Sequence, residues 1–242
     1  MPVISKAQDK LAIRELIDET ALAGAEHLDP AYVAGYAAKA AFDPAEDLEI
    51  LRSRGLGPDA TLIDFGAGTG TFALAAAPFC RRVIAVDVSP AMVEAIRARA
   101  ASSGARNVVA VQAGLLGYAH DGDAVDAVYT RNALHHLPDL WKAIALRRMA
   151  GLLVAGGTLR LRDLVFSFAA ADAEAGIRRW IDATASDDPA AGWTRAELEA
   201  HVRDEHSTFT WLLEPMLAQA GLEIVESAYA PIGAYAAYTC VT

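Results

Sequence analysis

From residue 60 onward, short apolar runs rich in β-branched residues alternate with longer stretches of helical spacing. The runs are 61–65, 82–88, 107–112, 125–130 and 158–165. Apolar runs of this kind suit strands covered on both faces, and their alternation with helices predicts a parallel sheet with crossover connections. Ser89-Pro90 starts one helix that Gly104 ends, and Pro138-Asp139 starts another that runs toward Gly156-Gly157. The N-terminal side is different. Residues 6–26 place Leu11, Leu16, Ile17 and Leu22 at helical spacing, Asp29 caps a helix over 30–41, and Asp43 caps one over 44–54. The expected division is a helical segment over 1–58 and an α/β domain over 59–242.

Beyond the fifth strand, 167–192 is rich in Ala and Asp, and Ser186-Asp187-Asp188-Pro189 marks a loop. Thr194-Arg195-Ala196-Glu197 has the spacing of a capping box, so a helix begins there, and another follows Ser207-Thr208 and ends at Gly221. The region of about 167–210 therefore reads as a helical insertion. Two last apolar runs, 222–230 and 234–241, flank Pro231 and Gly233 and predict an antiparallel hairpin.

Composition narrows the class of protein. With 54% hydrophobic and 21% charged residues, the 242-residue chain has enough apolar surface to fold. No run reaches the roughly 18 apolar residues of a membrane helix; the densest, 72–80, is closed by Arg81-Arg82. Thirty-one acidic against 21 basic residues leave a net charge of −10, and the basic pairs are scattered, so nucleic acid is not an expected partner. Lys6, Asp9, Lys10, Arg14 and Glu15 interrupt any signal-peptide core, and Cys80 and Cys240 make neither a disulfide framework nor a cysteine metal site. A cytoplasmic location is expected. The oligomeric state is not legible.

The chemistry concentrates at Leu62-Ile63-Asp64-Phe65-Gly66-Ala67-Gly68-Thr69-Gly70, where a first buried strand turns into a helix. Open α/β sheets bind ligands at this edge. The glycines permit a tight turn and close backbone approach, and Asp64 offers a charge for an ammonium group, directly or through water. Asp87, 21 positions beyond Gly66 at the end of the second strand, suits both hydroxyls of a ribose. A dinucleotide loop would require glycine at position 71, where Thr71 stands, so a dehydrogenase is the weakest reading.

This loop resembles motif I of the class I S-adenosylmethionine-dependent methyltransferases. Asp87 matches the family's ribose-binding acid, Arg131-Asn132-Ala133-Leu134-His135-His136-Leu137 the segment after the fourth strand, and Gly156-Gly157-Thr158-Leu159 the turn into the fifth. The motifs cover about 60–165, and the final hairpin is similar to the family's closing strand pair. The resemblance implies a Rossmann-like, seven-stranded, mostly parallel sheet with an N-terminal helical lid, and S-adenosyl-L-methionine as cofactor. It places Asp64, Gly66, Ala67, Gly68, Gly70, Asp87 and Arg131 around that cofactor. Tyr36, one turn from Tyr32, is either a lid residue near the cofactor's methionine end or a plain hydrophobic contact. One departure stands out: Gln112-Ala113-Gly114-Leu115 has no acid after the third strand to take the adenine amine. Backbone groups of Ala113 and Gly114, with apolar contact from Val88 and Met92, are the expected substitute.

Methyl transfer needs a base only when the acceptor must lose a proton. His136 is the first candidate, since neighbours on a turn point apart and His135 would then face elsewhere; His206, from the insertion, is the second. His201 and Glu205 share a helix face at i,i+4, which suits a metal, a hydrogen-bonded pair or plain solvation. No metal is expected, because the sequence identifies no third ligand. The expected acceptor is a small molecule methylated at oxygen or carbon, since Arg131-Asn132-Ala133-Leu134 lacks the Asn-Pro-Pro-Tyr pattern of base-amine enzymes. Two rivals remain: a protein that uses the sulfonium for cyclisation or elimination without methyl transfer, and a non-catalytic binding subunit.

Overall fold

Every residue of β1 (Thr61–Phe65) is buried, as a central strand requires, and it pairs in parallel with β2 (Arg82–Asp87) on one side and β4 (Val125–Arg131) on the other. The computed structural model describes residues 16–24, 28, 33 and 41–242. With β3 (Val108–Gln112), β5 (Leu153–Asp163), β8 (Glu223–Tyr229) and β9 (Ala236–Val241), these strands form one seven-stranded sheet in the order β3-β2-β1-β4-β5-β9-β8. Only β9 runs antiparallel to its neighbours: it inserts between β5 and β8. The strand order switches direction between β1 and β4, which opens a crevice at the carboxyl ends of the central strands.

The helices follow their sequence signals closely. Among the described residues, α1 (Glu19–Leu22) is capped by Asp18, and α2 (Ala45–Ser53) begins where Asp43 accepts the Ala45 N–H at 2.9 Å. The expected helix over 30–41, with Tyr32 and Tyr36, lies outside the described residues; of the one expected over 6–26, only Glu19–Leu22 is helical among the described residues 16–24, because the Asp18 side chain caps a helix that starts there. Next come α3 (Thr71–Ala76), α4 (Pro90–Ser103, capped by Ser89 and ended by Gly104 at φ +72°) and α5 (Asp139–Leu152). Helix α2 is pinned to the sheet by Asp47, fully buried, which accepts from Tyr129 at 2.9 Å and from Arg160 at 2.8 Å.

Three boundaries differ from the sequence reading. Helix α5 stops at Leu152, and β5 runs on through Gly156-Gly157 because Leu153 already pairs with Val125. The fifth strand ends at Asp163, not 165, because the Asp163 carboxylate takes the Leu164 N–H at 2.7 Å. Val165 and Phe166 instead form β6 (Val165–Phe166), paired in parallel with β7 (Thr208–Phe209) in a small second sheet that the sequence did not suggest.

Between β6 and β7 lie α6 (Ala173–Thr184) and α7 (Arg195–Asp204), and α8 (Thr210–Gln219) follows. The capping box is present, with Glu197 accepting the Thr194 N–H at 2.7 Å and Thr194 accepting that of Glu197 at 3.3 Å. The insertion has its own core of Leu164, Phe166, Trp180, Ile181, Leu198 and Ala234. It is therefore a packed unit that can position side chains. No described helix is long and apolar enough to cross a membrane.

Candidate active site

The glycine loop owes its shape to three left-handed positions: Gly66 (φ +65°), Gly68 (φ +54°) and Gly70 (φ +81°). A Cβ on Gly66 would run into the Ala133 methyl, so the loop after β1 and the turn after β4 touch only because this residue has no side chain. Gly68 donates to Asp87 Oδ2 at 2.8 Å, while Ala67 donates to the Val86 carbonyl at 3.1 Å and Gly70 to that of Ala67 at 2.8 Å. Ala67 and Gly70 thus brace the loop from behind. Across the crevice Asn132 holds φ +49°, a strained value that asparagine tolerates better than most residues.

Three carboxylates surround this edge. Asp87 also accepts the Ser89 N–H at 2.9 Å; burial nevertheless raises its pKa to about 6, against those two backbone donors. Asp64 sits behind the loop, 2% exposed; burial and then the nearby Asp87 push its pKa well up, and its Oδ2 makes no hydrogen bond. Glu19, on α1, reaches the loop after β3 and accepts from Leu116 at 3.0 Å and Gly117 at 2.8 Å. Its pKa is raised by burial in spite of those donors.

A cavity of about 90 Å³ lies between these parts, lined by Gly66, Gly68, Asp87, Val88, Met92, Ala113, Gly114, Arg131 and His136 of the predicted residues. Asp64, Ala67, Gly70 and His206 are not among its lining, and Tyr36 is outside the described residues. Sequence reasoning missed Glu19, Ala23, Ser89 and Asn132, which also line it. For Glu19 no signal existed, since its partners are 97 and 98 residues away. Arg131 is engaged elsewhere too, 3.7 Å from Asp47 and stacked 4.2 Å over the Phe42 ring. A second, open cavity of about 610 Å³ shares Glu19, Val88, Ala113 and Gly114 with the first.

The two neighbouring histidines diverge. His136 lines the cavity, whereas His135 is buried, with Nδ1 against Asp163 and Nε2 at 2.9 Å from Glu205 Oε2. Burial opposes charge on His135, but Asp163 and Glu205 outweigh it and raise the pKa to about 10. Burial likewise opposes charge on Glu205, and its histidine partners outweigh that, holding it far below the usual carboxylate range. His201 Nδ1 lies 3.0 Å and His136 Nδ1 3.5 Å from the same Glu205 oxygen. The sequence identified no third residue of ligand chemistry beside His201 and Glu205, and the structure brings one to them. That partner, His135, is 66 residues upstream and arrives through packing of the insertion against the turn after β4, where His206 donates its N–H to the His135 carbonyl at 2.9 Å. His206 acts in the structure through its backbone, its carbonyl also accepting from buried Lys142.

The arrangement is a carboxylate-lined crevice at a topological switch point, with an acid at the end of β2 and a histidine in the same lining. Comparison with known proteins agrees. The family model described as a methyltransferase domain matches residues 62–157. An uncharacterized methyltransferase, YcgJ of Bacillus subtilis, is 34% identical over 102 residues, covering 42% of this chain and 40% of the relative. A ribosomal protein L11 methyltransferase of Thiobacillus denitrificans is 37% identical over 140 residues, covering 56% of this chain and 42% of the relative. The chain thus spans about two fifths of the length of these curated relatives. Among solved structures, the [4+2]-cyclase SpnF shares the fold with a TM-score of 0.61 at 16% identity, over 81% of this chain and 80% of that one. Residues 62–157 thus match a methyltransferase domain, and the fold is that of solved S-adenosylmethionine-dependent methyltransferases such as one from Aquifex aeolicus, with a TM-score of 0.59 at 17% identity over 88% of this chain and 98% of that one.

Proposed function

We propose that this protein transfers the methyl group of S-adenosylmethionine to an oxygen or carbon of a small-molecule acceptor. One observation carries the reading: Asp87 and His136 line the same cavity, one suited to the ribose and the other to the reacting end. The ribose hydroxyls add donors to Asp87, and the buried, unbonded Oδ2 of Asp64 suits an ammonium-bearing cofactor. Gly114 and Ala113 offer backbone to the adenine, with Val88 and Met92 as its apolar neighbours.

In-line transfer from a sulfonium leaves the chain two tasks, alignment of the acceptor and exclusion of water. Residues 16–24 serve the second as a cover beside the cavity, which Glu19 and Ala23 line. Small-molecule pockets are typically roughly 300 Å³ or more, so the closed 90 Å³ cavity must enlarge by displacement of Glu19 and Ala23. His136 removes the acceptor's proton as methyl arrives. A net charge of −10 favours a small molecule over a polyphosphate chain as acceptor.

The test is incubation of the full chain with methyl-labelled S-adenosylmethionine and a panel of hydroxyl-bearing, acidic-carbon and amine small molecules, with product analysis by mass. Label appearing on oxygen or carbon supports the proposal. Label only on amines or macromolecules would overturn the acceptor class. An acceptor that rearranges without gaining a methyl would instead support sulfonium-assisted cyclisation, the activity named for the fold neighbour SpnF.

A further inference from the structure

We propose that the chain binds a divalent transition-metal ion of the zinc type between His135 Nε2, His201 Nδ1 and Glu205 Oε2, beside the cofactor cavity. The three donor atoms lie within 4.8 Å of one another, with both nitrogens 2.9–3.0 Å from the carboxylate oxygen. Zinc bonds of about 2.0–2.1 Å in a tetrahedron set donor atoms about 3.3 Å apart, so the two nitrogen–oxygen distances must open by a few tenths of an ångström to admit the ion. All three residues are mostly sheltered from water, with side-chain exposures of 8%, 13% and 23%.

The outer nitrogens make the case specific. His135 Nδ1 faces the Asp163 carboxylate, and His201 Nε2 lies 2.8 Å from Ser207 Oγ. Metal-binding histidines are typically held this way, by a carboxylate or other acceptor on the nitrogen that does not ligate. With those outer nitrogens held by acceptors, a metal ion would replace the proton that His135 Nε2 otherwise shares with Glu205, and the inner nitrogens would then turn lone pairs toward the ion. Three electron-pair donors then converge on one point, an arrangement that a cation satisfies. The Glu205 Oε2 atom is buried, and three imidazole nitrogens approach it at 2.9–3.5 Å. Two imidazoles and one carboxylate match zinc and its first-row neighbours better than magnesium or calcium, which favour all-oxygen cages.

Each ligand sits on a braced element. His135 belongs to the turn after β4, tied to the sheet because Asp163 accepts the Leu134 N–H at 2.8 Å. His201 and Glu205 lie one turn apart at the end of α7. The ion would therefore clamp the insertion to the sheet, and the nearest further donor, His136 Nδ1, lies on the cavity side. This inference stands apart from the identity of the methyl acceptor.

The experiment strips the full chain with a chelator, returns Zn²⁺ alone, and measures stoichiometry by elemental analysis and affinity by competition with a chromophoric chelator; Co²⁺ is added in parallel for its visible spectrum. The expected result is one Zn²⁺ per chain, a melting temperature higher by several degrees, and a tetrahedral Co²⁺ spectrum without thiolate bands. His201→Ala and Glu205→Gln, checked by circular dichroism, should bind ~100-fold more weakly. Ser207→Ala, which leaves every ligand in place, should lose ~10-fold. Absence of stoichiometric binding by the wild-type chain would overturn the proposal whatever the variants do. Undiminished binding by the folded His201→Ala and Glu205→Gln proteins would overturn it equally.

Discussion

Gly68 donates its backbone N–H to Oδ2 of Asp87 at 2.8 Å, so the glycine loop after β1 and the acid at the end of β2 form one unit before any cofactor arrives. The Ser89 N–H holds the other oxygen at 2.9 Å. A carboxylate oriented by two backbone donors presents its remaining lone pairs in fixed directions, which is preorganisation for two ribose hydroxyls.

Asp87→Ala should weaken S-adenosylmethionine binding by on the order of 2 kcal/mol, about 30-fold, because a charge-assisted bidentate contact is lost. Isothermal titration calorimetry on the purified chain checks this. An unchanged dissociation constant would remove Asp87 from the ribose.

Binding should also depend on pH. With the Asp87 pKa raised to about 6 by burial, the carboxylate that accepts from ribose is lost as pH falls through 6, and affinity should drop by up to ~10-fold per pH unit below it. Stability of the cofactor-free chain should move the other way. The folded pKa lies above the ordinary value of 3.8, so the native state holds the extra proton between those values, and this group's contribution falls as pH rises through that window. Asp87→Asn should therefore raise the melting temperature at pH 7 by about a few degrees while impairing binding.

Gly66→Ala combines a left-handed backbone with a clash against Ala133 and should cost about 2–4 kcal/mol in chemical denaturation, along with cofactor binding. Gly104→Ala provides the contrast. It has a similar φ of +72° but open space around it, so about 1 kcal/mol with binding intact is expected.

Hydrogen exchange at residues 16–24, and at the Leu116 and Gly117 amides that Glu19 holds, should slow by ~10-fold or more when cofactor binds, as the N-terminal segment closes over an occupied site. Equal exchange in both states would exclude the lid.

His136→Ala should lower turnover by ~10²-fold with nearly unchanged cofactor affinity, the pattern for a group that acts only in the transition state. Parallel loss of thermal stability and turnover would mark a structural histidine instead. Single-turnover rates and melting curves on the same preparation separate the two.

Much of this was written into local sequence. The buried run 61–65, the spacing of Gly66, Gly68 and Gly70, the acid at 87 and the Thr194-Glu197 capping box each act within one turn or one strand of themselves, and short-range physics leaves such features visible in the order of residues. Leu153 and Asp163 show the limit: where β5 began and ended depended on pairing with Val125 and on one side chain taking the next N–H. Placement of β9 between β5 and β8 likewise belonged to the whole sheet. So did the meeting of Glu19 with Leu116, and of His135 with His201 and Glu205. A helix puts His201 and Glu205 on one face by its own geometry, but only the packing of the insertion on the turn after β4 brings His135 to them. Side chains 66 positions apart become neighbours by burial of apolar surface, and that force carries no positional mark in the sequence.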